Sequence, residues 1–543
     1  MTTATQTSRS TMTEPGRAFT ALAALDARLV VRGAIALVVI VAGLTAIVVL
    51  QYAVTFASPQ NVRSLEVLVG NPAIRVLFGV PRALEQSGGF TVWRIGTFAA
   101  VAAAAWALST ATRLTRGQED SGRAWLTLVG PLRLRSALLA HLSVVAAVSI
   151  ALGLATGLAM AATGAGGRGA VVYATGIALI GLLFAGVGAS GGQLFGERRT
   201  ATGSSVGLLV VGLLVRMVAD GTESLGWASW ITPFGLLSLS APYAGDRWAP
   251  LAVLAGMAAS MIVVAWVLAG QRDVGSGLLR SREYRQPRLR LLSSEWGFGV
   301  RRTLPAFAGW SLALVAYFLL IGLLAVSLTT FLEANPGFAE LAAAAGFTDL
   351  ATVQGYVASL LLLLPVPVGL FATARIADQA HDEAAGRIPL LLSRPIGRIG
   401  WAGRHVAVTA AAGVLMCVLT GSAAWLGTRA VGAGLRYGEA IAGALNVVVI
   451  VLLSLGAAVL ALGWAPRMVV LLGALPVVGG FIVWVLADTL DWPSWVNWLS
   501  PFTHVARVPA DVPDWDGQVS MLAIAAVLVL VGLVGLKRRD LRG

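Results

Sequence analysis

Apolar runs of about 20 residues recur along the whole chain, and each is long enough to cross a hydrocarbon core about 30 Å thick. Inside lipid a helix satisfies its own backbone hydrogen bonds, so each run is predicted to be helical. Of the 543 residues, 57% are hydrophobic and only 12% are charged. The sequence therefore predicts an all-α integral membrane protein of about twelve spans: 33–55, 93–112, 138–163, 169–195, 203–219, 249–269, 304–331, 353–374, 406–430, 438–463, 468–488 and 518–536.

The basic residues predict the orientation of the chain. An even number of spans places both termini on one side, and most of the 39 Lys and Arg residues fall in the tails and connections of that side. By the positive-inside rule this side is cytoplasmic. We therefore expect a multi-pass protein of the plasma (inner) membrane with both termini in the cytoplasm. The net charge of +13 is scattered between apolar runs, so nucleic acid is not expected as a partner.

The two halves of the sequence repeat each other. The segment that begins at Glu119 matches, without a gap, the segment that begins at Glu383, 264 residues later. Two further matches follow in the same order, before and after the last span of each half. They are Trp-x-x-Pro-Phe from Trp230 and from Trp498, and Arg-Asp from Arg272 and from Arg539.

This repeat predicts the domain organisation. Two homologous six-helix halves are expected, related by a pseudo-two-fold axis along the membrane normal and with a pathway between them. The predicted segments are a cytoplasmic tail and interfacial helix (1–32), the first half (33–269), an Arg-rich cytoplasmic linker and interfacial helix (270–303), the second half (304–536) and a cytoplasmic tail (537–543).

The repeated segment after the second span of each half is predicted to be a short cytoplasmic helix that docks on a soluble partner. Its acidic residue is expected near the helix start, paired with the arginine four residues on, and its proline is expected to end the helix. The alternative is that this pair and proline serve only the local structure of the loop. The candidate docking residues are Glu119, Gly122, Arg123, Leu126 and Pro131 in the first half, and Glu383, Gly386, Arg387, Leu390 and Pro395 in the second.

These motifs resemble the permease subunits of ATP-binding cassette (ABC) exporters of type-two fold. The resemblance is to the fused twelve-span form of actinobacterial polyketide-antibiotic and multidrug exporters. The repeated Glu-x-x-Gly-Arg segment, with its Leu and Pro, resembles the family's coupling helix, although Arg123 and Arg387 stand where Thr is more usual. The two Trp-x-x-Pro-Phe segments resemble the family's Ser-Pro-Phe region. The resemblance implies export of hydrophobic or amphipathic compounds, driven by a separate ATPase subunit that docks on the coupling helices, with two copies for each permease chain.

The chain itself lacks the sequence features of a nucleotide-hydrolysing enzyme. A P-loop ends in Gly-Lys-Ser/Thr, whereas the only lysine, Lys537, is followed by Arg538. ATP and Mg²⁺ are therefore expected in the partner, and no catalytic residue, cofactor or metal site is predicted here. The four histidines are scattered and Cys417 is the only cysteine. The expected contacts are membrane lipids and a hydrophobic small-molecule substrate, whose identity the sequence does not specify.

Three residues within the spans are candidates for a substrate path. Arg216 is an ionisable group at membrane depth, with Asp220 one helical turn away. It is either a polar element of the export route or an arginine that reaches the span end and pairs with Asp220. Trp310 and Phe318 are candidate apolar contacts of that route, with helix packing as the alternative.

Two other functions remain open from the sequence. An ion-coupled secondary transporter would need Asp or Glu within its spans as coupling sites, and the predicted spans contain almost none. A membrane-embedded transferase for lipid-linked substrates is less favoured. It would need acidic or histidine pairs at an outer loop, where the acidic cluster is Asp511, Asp514 and Asp516.

Overall fold

The computed structural model of the protein describes residues 15–55, 75–76, 78–130, 132–279, 291–292, 294–334, 352–384, 386, 397–489 and 492–539. Over these ranges there is no strand, and twelve helices are long and apolar enough to cross a membrane. Each of them overlaps one predicted span. The prediction of an all-α membrane protein with about twelve spans is therefore confirmed.

The chain divides into two compact units, residues 1–286 and 287–543. The membrane helices of the first unit are Gly16–Tyr52, Ser87–Asp120, Leu134–Ala162, Arg168–Leu194, Arg198–Gly221 and Ala249–Ala269. Those of the second unit are Glu295–Ala334, Val353–Ala384, Arg398–Ala430, Tyr437–Trp464, Pro466–Val485 and Trp515–Arg538. We number them as the first to the twelfth membrane helix.

In each unit the fourth helix is central. In the first unit, the fourth membrane helix packs against the second, third, fifth and sixth. Its side chains Tyr173, Ile177 and Ile180 are fully buried. In the second unit, the tenth membrane helix packs against the eighth, ninth, eleventh and twelfth. The two units therefore place corresponding helices in corresponding positions, each around its own apolar core.

The first membrane helix begins earlier than predicted. The sequence predicts an interfacial helix before residue 33, whereas one continuous helix covers Pro15–Thr55. Its early part packs along the third membrane helix, where Leu22 is buried in a small apolar cluster with Ala137. A hydrogen bond of 2.5 Å joins Asp26 Oδ2 to His141 Nδ1. These contacts hold the segment against its neighbour, and no proline interrupts the helix after Pro15.

Glycines set the crossing of the seventh and ninth membrane helices. A Cβ added to Gly322 would lie 2.4 Å from the carbonyl oxygen of Ala424, and one added to Gly427 would lie 2.4 Å from that of Leu319. Only hydrogen fits at both positions, as in the small-residue interfaces that let membrane helices approach closely. A Cβ added to Gly309, on the same seventh helix, would have no neighbouring atom within 4 Å.

We expect Gly322→Ala to lower the free energy of unfolding by about 1 to 3 kcal/mol, because the two backbones must move apart. Gly309→Ala is the matched control and should leave stability unchanged or slightly raised, because alanine favours the helix. Thermal unfolding of both variants in the same detergent measures the difference. Equal melting temperatures for the two variants would contradict the proposed close packing.

Candidate functional site

The predicted docking segment of the first unit begins in the last part of the second membrane helix and continues into the connection to the third. After Leu114 the chain forms a short helix, Arg116–Asp120, and then a second one, Arg123–Leu128, which we call the connection helix. Gly122 separates the two with a φ of +73°, in the left-handed region that favours glycine. The prediction of a short helix after the second span is therefore confirmed, but it is broken into two pieces at Gly122.

Glu119 is buried in a network of hydrogen bonds at this break. Its Oε2 accepts from Arg116 Nη1 at 2.9 Å and from Arg272 Nη1 at 2.8 Å, and its Oε1 accepts from Arg272 Nη2. The backbone N–H of Gly275 donates to Oε2 at 2.9 Å. We call this cluster of Arg116, Glu119 and Arg272 the Glu119 node. Charged hydrogen bonds of this kind are individually strong, and here they satisfy the carboxylate on both oxygens.

The Glu119 node ties three segments of the chain together. Arg116 also donates from Nε to the carbonyl of Gly192, at the end of the fourth membrane helix, and from Nη2 to that of Ser276. Arg272 donates from Nε to Gln193 Oε1 at 2.7 Å. The node therefore joins the ends of the second and fourth membrane helices to the segment that follows the sixth.

The predicted pairing of Glu119 with Arg123 is wrong. The sequence analysis pairs Glu119 with Arg123, four residues on, which requires one continuous helix. Because Gly122 breaks the helix, Arg123 turns outward, is exposed and donates to Ser121 Oγ at 3.0 Å. Glu119 therefore holds the interior of the unit together and is not presented on the surface.

The connection helix exposes apolar side chains. Leu126 is 80% exposed and Val129, directly after the helix, is 84% exposed, while Trp125 is 56% exposed. Leu128 faces the other way and packs on the small apolar cluster that contains Leu22. The helix is therefore anchored by one face and presents an apolar surface with the other, while the docking role of Leu126 stays a prediction.

The second unit repeats the central contact of the Glu119 node. Glu383 is buried and its Oε2 accepts from Arg539 Nη2 at 2.6 Å, so Arg539 occupies the role of Arg272. Gly386 has a φ of +68°, and its N–H bonds to the carbonyl of Glu383 as that of Gly122 does to Glu119. The candidates Pro131, Arg387, Leu390 and Pro395 lie outside the described residues.

Sequence reasoning missed the partners of the two glutamates, although a signal was present. Arg272 and Arg539 repeat in the two halves at nearly the same offset as Glu119 and Glu383. They also have opposite charge and follow the last span of each half on the same predicted side of the membrane. Arg116 has no such repeat, since the residue 264 positions later is Ala380.

The three candidates for a substrate path lie in different environments. Arg216 is buried in the first unit and its Nε lies 2.5 Å from Asp220 Oδ2, as the span-end interpretation predicts. In the second unit Phe318 is buried and has an edge contact with Tyr317, whereas Trp310 is partly exposed on the same helix. The role of these three residues in transport stays a prediction.

The described residues include twelve apolar helices in two units, and each unit has a buried glutamate that pairs with an arginine after its last membrane helix. These features define the chain as a multi-pass helical membrane protein. Residues 292–537 match the family described as "Multidrug efflux system permease Rv1217c, C-terminal domain". The multidrug efflux system permease protein Rv1217c of Mycobacterium tuberculosis (strain ATCC 25618 / H37Rv) is 29% identical over 491 residues, which cover 88% of this chain and 86% of that protein. These matches confirm the resemblance to multidrug exporter permeases.

Proposed function

We propose that this chain is the permease subunit of an ABC exporter that moves hydrophobic or amphipathic compounds, such as antibiotics and other drugs, out of the cell. The similarity to a protein described as a multidrug efflux permease supports the direction of transport and the broad class of substrate. The sequence lacks a P-loop, so the proposal assigns ATP and Mg²⁺ binding to a separate ATPase subunit.

The observation that carries the proposal is the exposed apolar surface of Trp125, Leu126 and Val129. These side chains lie at the connection between two membrane helices, outside the spans. Exposed apolar side chains that form a patch mark a site of interaction with a protein or with a membrane. We propose that this surface receives an ATPase copy, that the matching segment of the second half receives another, and that this face of the membrane is cytoplasmic.

The Glu119 node supplies a route from this surface into the unit. A force on the connection helix acts close to Glu119. The carboxylate of Glu119 is bonded to the segment after the sixth membrane helix. The proposal is that ATP binding and hydrolysis in the partner move the connection helix, and that the node passes this movement to the membrane helices. Export then proceeds by alternating access.

Co-purification tests the partnership. The tagged chain, extracted from its own cells in detergent, is expected to retain a soluble P-loop ATPase at two copies per permease. The ATP hydrolysis rate of the purified partner is expected to rise when the permease is added in lipid vesicles. Absence of any ATPase at stoichiometric amounts, together with unchanged hydrolysis, would refute the proposal.

The alternative of an ion-coupled transporter gives the opposite result. The buried carboxylates of Glu119, Asp220, Asp382 and Glu383 are each ion-paired with Arg, which leaves them poorly suited to cycle a proton or sodium ion. Drug accumulation in vesicles that depends on an imposed pH or sodium gradient, without ATPase and ATP, would favour the alternative.

A further inference from the structure

A second charged cluster lies at the far end of the first unit. The second membrane helix runs from Ser87 at this end to the Glu119 node at the other, and the fifth membrane helix brings Arg216 and Asp220 to the same end as Ser87. Both side chains are only 4% exposed. A buried ion pair is costly to form, because both charges lose their water. A pair at this place therefore needs further partners.

Arginines outnumber carboxylates around this pair. The carboxylate of Asp220 lies in the field of Arg75 and Arg82 as well as that of Arg216. Burial lowers the pKa of Arg82, and the charge of Arg247 lowers it further, whereas Asp220 raises it. At least three guanidinium groups thus share one carboxylate, and the cluster carries an excess of positive charge.

Several of these guanidinium nitrogens lack a hydrogen-bond partner. Among the described atoms, Arg216 Nη1 is buried without one, and so are Arg75 Nε and Arg82 Nε. A buried donor without a partner costs about 1 to 3 kcal/mol, and more when it is charged. These donors are therefore available to a ligand that brings acceptor oxygens.

A cavity of about 50 Å³ opens beside these donors, and both Arg216 and Arg82 line it. Its other walls include the apolar side chains of Phe78, Trp93 and Phe234. Since one water needs about 10 to 15 Å³ of such space, the cavity has room for a group of three or four heavy atoms. That is the size of a carboxylate with the carbon that carries it.

Gly79 forms the wall of the cavity next to Arg216. A Cβ at this position would lie 1.9 Å from Arg216 Nη2, so only glycine lets the guanidinium approach the backbone here. Gly79 is itself fixed, because its N–H bonds to the carbonyl of Arg75 and its carbonyl accepts from Trp93 Nε1 at 3.1 Å. The site is therefore formed by hydrogen-bonded chain and not by a loose surface loop.

We propose that this cavity is a binding site for a single anionic group attached to an apolar body. The acceptor oxygens bind Arg216 and Arg82 inside the cavity, in competition with Asp220. The apolar body extends out of the cavity past Phe78, a lining residue whose side chain is exposed. Two sources carry this chemistry: a free amphipathic carboxylate and the phosphate of a lipid headgroup. The site belongs to the chain itself, so it is tested without an ATPase.

Binding of 2-naphthoate to the full chain, purified in an uncharged detergent, tests the site by calorimetry. We expect saturable binding at one site and binding of the uncharged methyl ester that is at least about tenfold weaker. Arg216→Gln should weaken naphthoate binding by about ten- to a hundredfold, as for loss of a charged hydrogen bond. Asp220→Asn should tighten binding by about tenfold, because it removes the competing carboxylate.

Controls separate binding from folding. Arg168→Gln, an exposed arginine at the same end, should leave affinity unchanged. If Arg216→Gln alone fails to fold, the double variant Arg216→Gln, Asp220→Asn removes both charges together and should still lose naphthoate binding.

Displacement of naphthoate by phosphatidylglycerol, but not by phosphatidylcholine, would identify lipid as the natural source. No displacement by either would identify the free amphiphile. Equal affinity of the wild type and a folded Arg216→Gln variant, or no saturable binding to the wild type, would overturn the proposal.

Discussion

Replacing Glu119 with glutamine is expected to destabilise the first unit by about 3 to 5 kcal/mol, the usual result of removing one partner from a buried ion pair. The change removes the carboxylate that bonds both Arg116 and Arg272, whose side chains are 0% and 1% exposed. Thermal unfolding in detergent should show a melting temperature lower by roughly 10 °C. We also expect loss of ATPase stimulation, because the node no longer holds the segment after the sixth membrane helix.

Arg123→Gln is the control for this prediction. Arg123 lies four residues from Glu119 and has the same charge as its true partners, but it is exposed and bonds only to Ser121 among the described contacts. Its replacement should change the free energy of unfolding by less than about 0.5 kcal/mol. A larger effect of Arg123→Gln than of Glu119→Gln would restore the pairing expected from the sequence and contradict the node.

The corresponding change in the second unit should have a smaller effect. Glu383→Gln removes the partner of Arg539, whose side chain is 23% exposed and can keep contact with water. A partly exposed ion pair contributes less than a buried one. Burial alone therefore predicts a larger loss of unfolding free energy for Glu119→Gln than for Glu383→Gln. The same unfolding experiment measures both losses.

Replacing Trp125 with alanine is expected to weaken the proposed complex with an ATPase by about 2 kcal/mol or more, a factor of about thirty in affinity. Tryptophan is among the residues that contribute most to protein interfaces, and Trp125 stands beside Leu126 on the exposed face of the connection helix. Because its side chain is more than half exposed in the isolated chain, the stability of the permease itself should change little. The retained amount of partner after affinity purification measures the effect.

Trp227→Ala is the matched control, since Trp227 is also well exposed but lies beyond the fifth membrane helix, away from the connection helix. It should leave the amount of bound ATPase unchanged. If both variants lose the partner equally, or if neither does, the connection helix is not the docking surface. Leu126→Glu provides an independent check, because it places a charge on the same surface with no expected cost in folding.

The sequence predicts most of this fold because membrane helices depend on one dominant property. Apolar length alone locates all twelve helices, and the repeat of Glu119 and Glu383 locates the connections between them. The partners of these residues could not be derived in the same way. Helical spacing points to Arg123, whereas a single left-handed residue, Gly122, redirects the chain and gives Glu119 to Arg272, more than 150 residues later.

The environment of Arg216 was likewise only half predictable. Its pairing with Asp220 follows from a spacing of four residues on a helix, and the structure has this pair. Arg82 and Gly79 approach Arg216 from the connection before the second membrane helix. This approach depends on tertiary packing, for which the sequence gives no periodic signal. Whether Arg216 acts as an isolated pair or as part of a cluster was therefore decided by three-dimensional structure.

The saturation of Glu119 determines the chemical character of the surface around the connection helix. Glu119 is bonded to Arg116 and Arg272, and Asp120 Oδ2 accepts from the backbone N–H of Arg198, so these two carboxylates are already occupied. The exposed side chains of this region are apolar at Leu126, basic at Arg113, Arg123 and Arg133, and acidic at Glu197 and Asp273. We therefore expect the proposed partner of this surface to offer an apolar pocket for Leu126, with carboxylates placed to meet the three arginines.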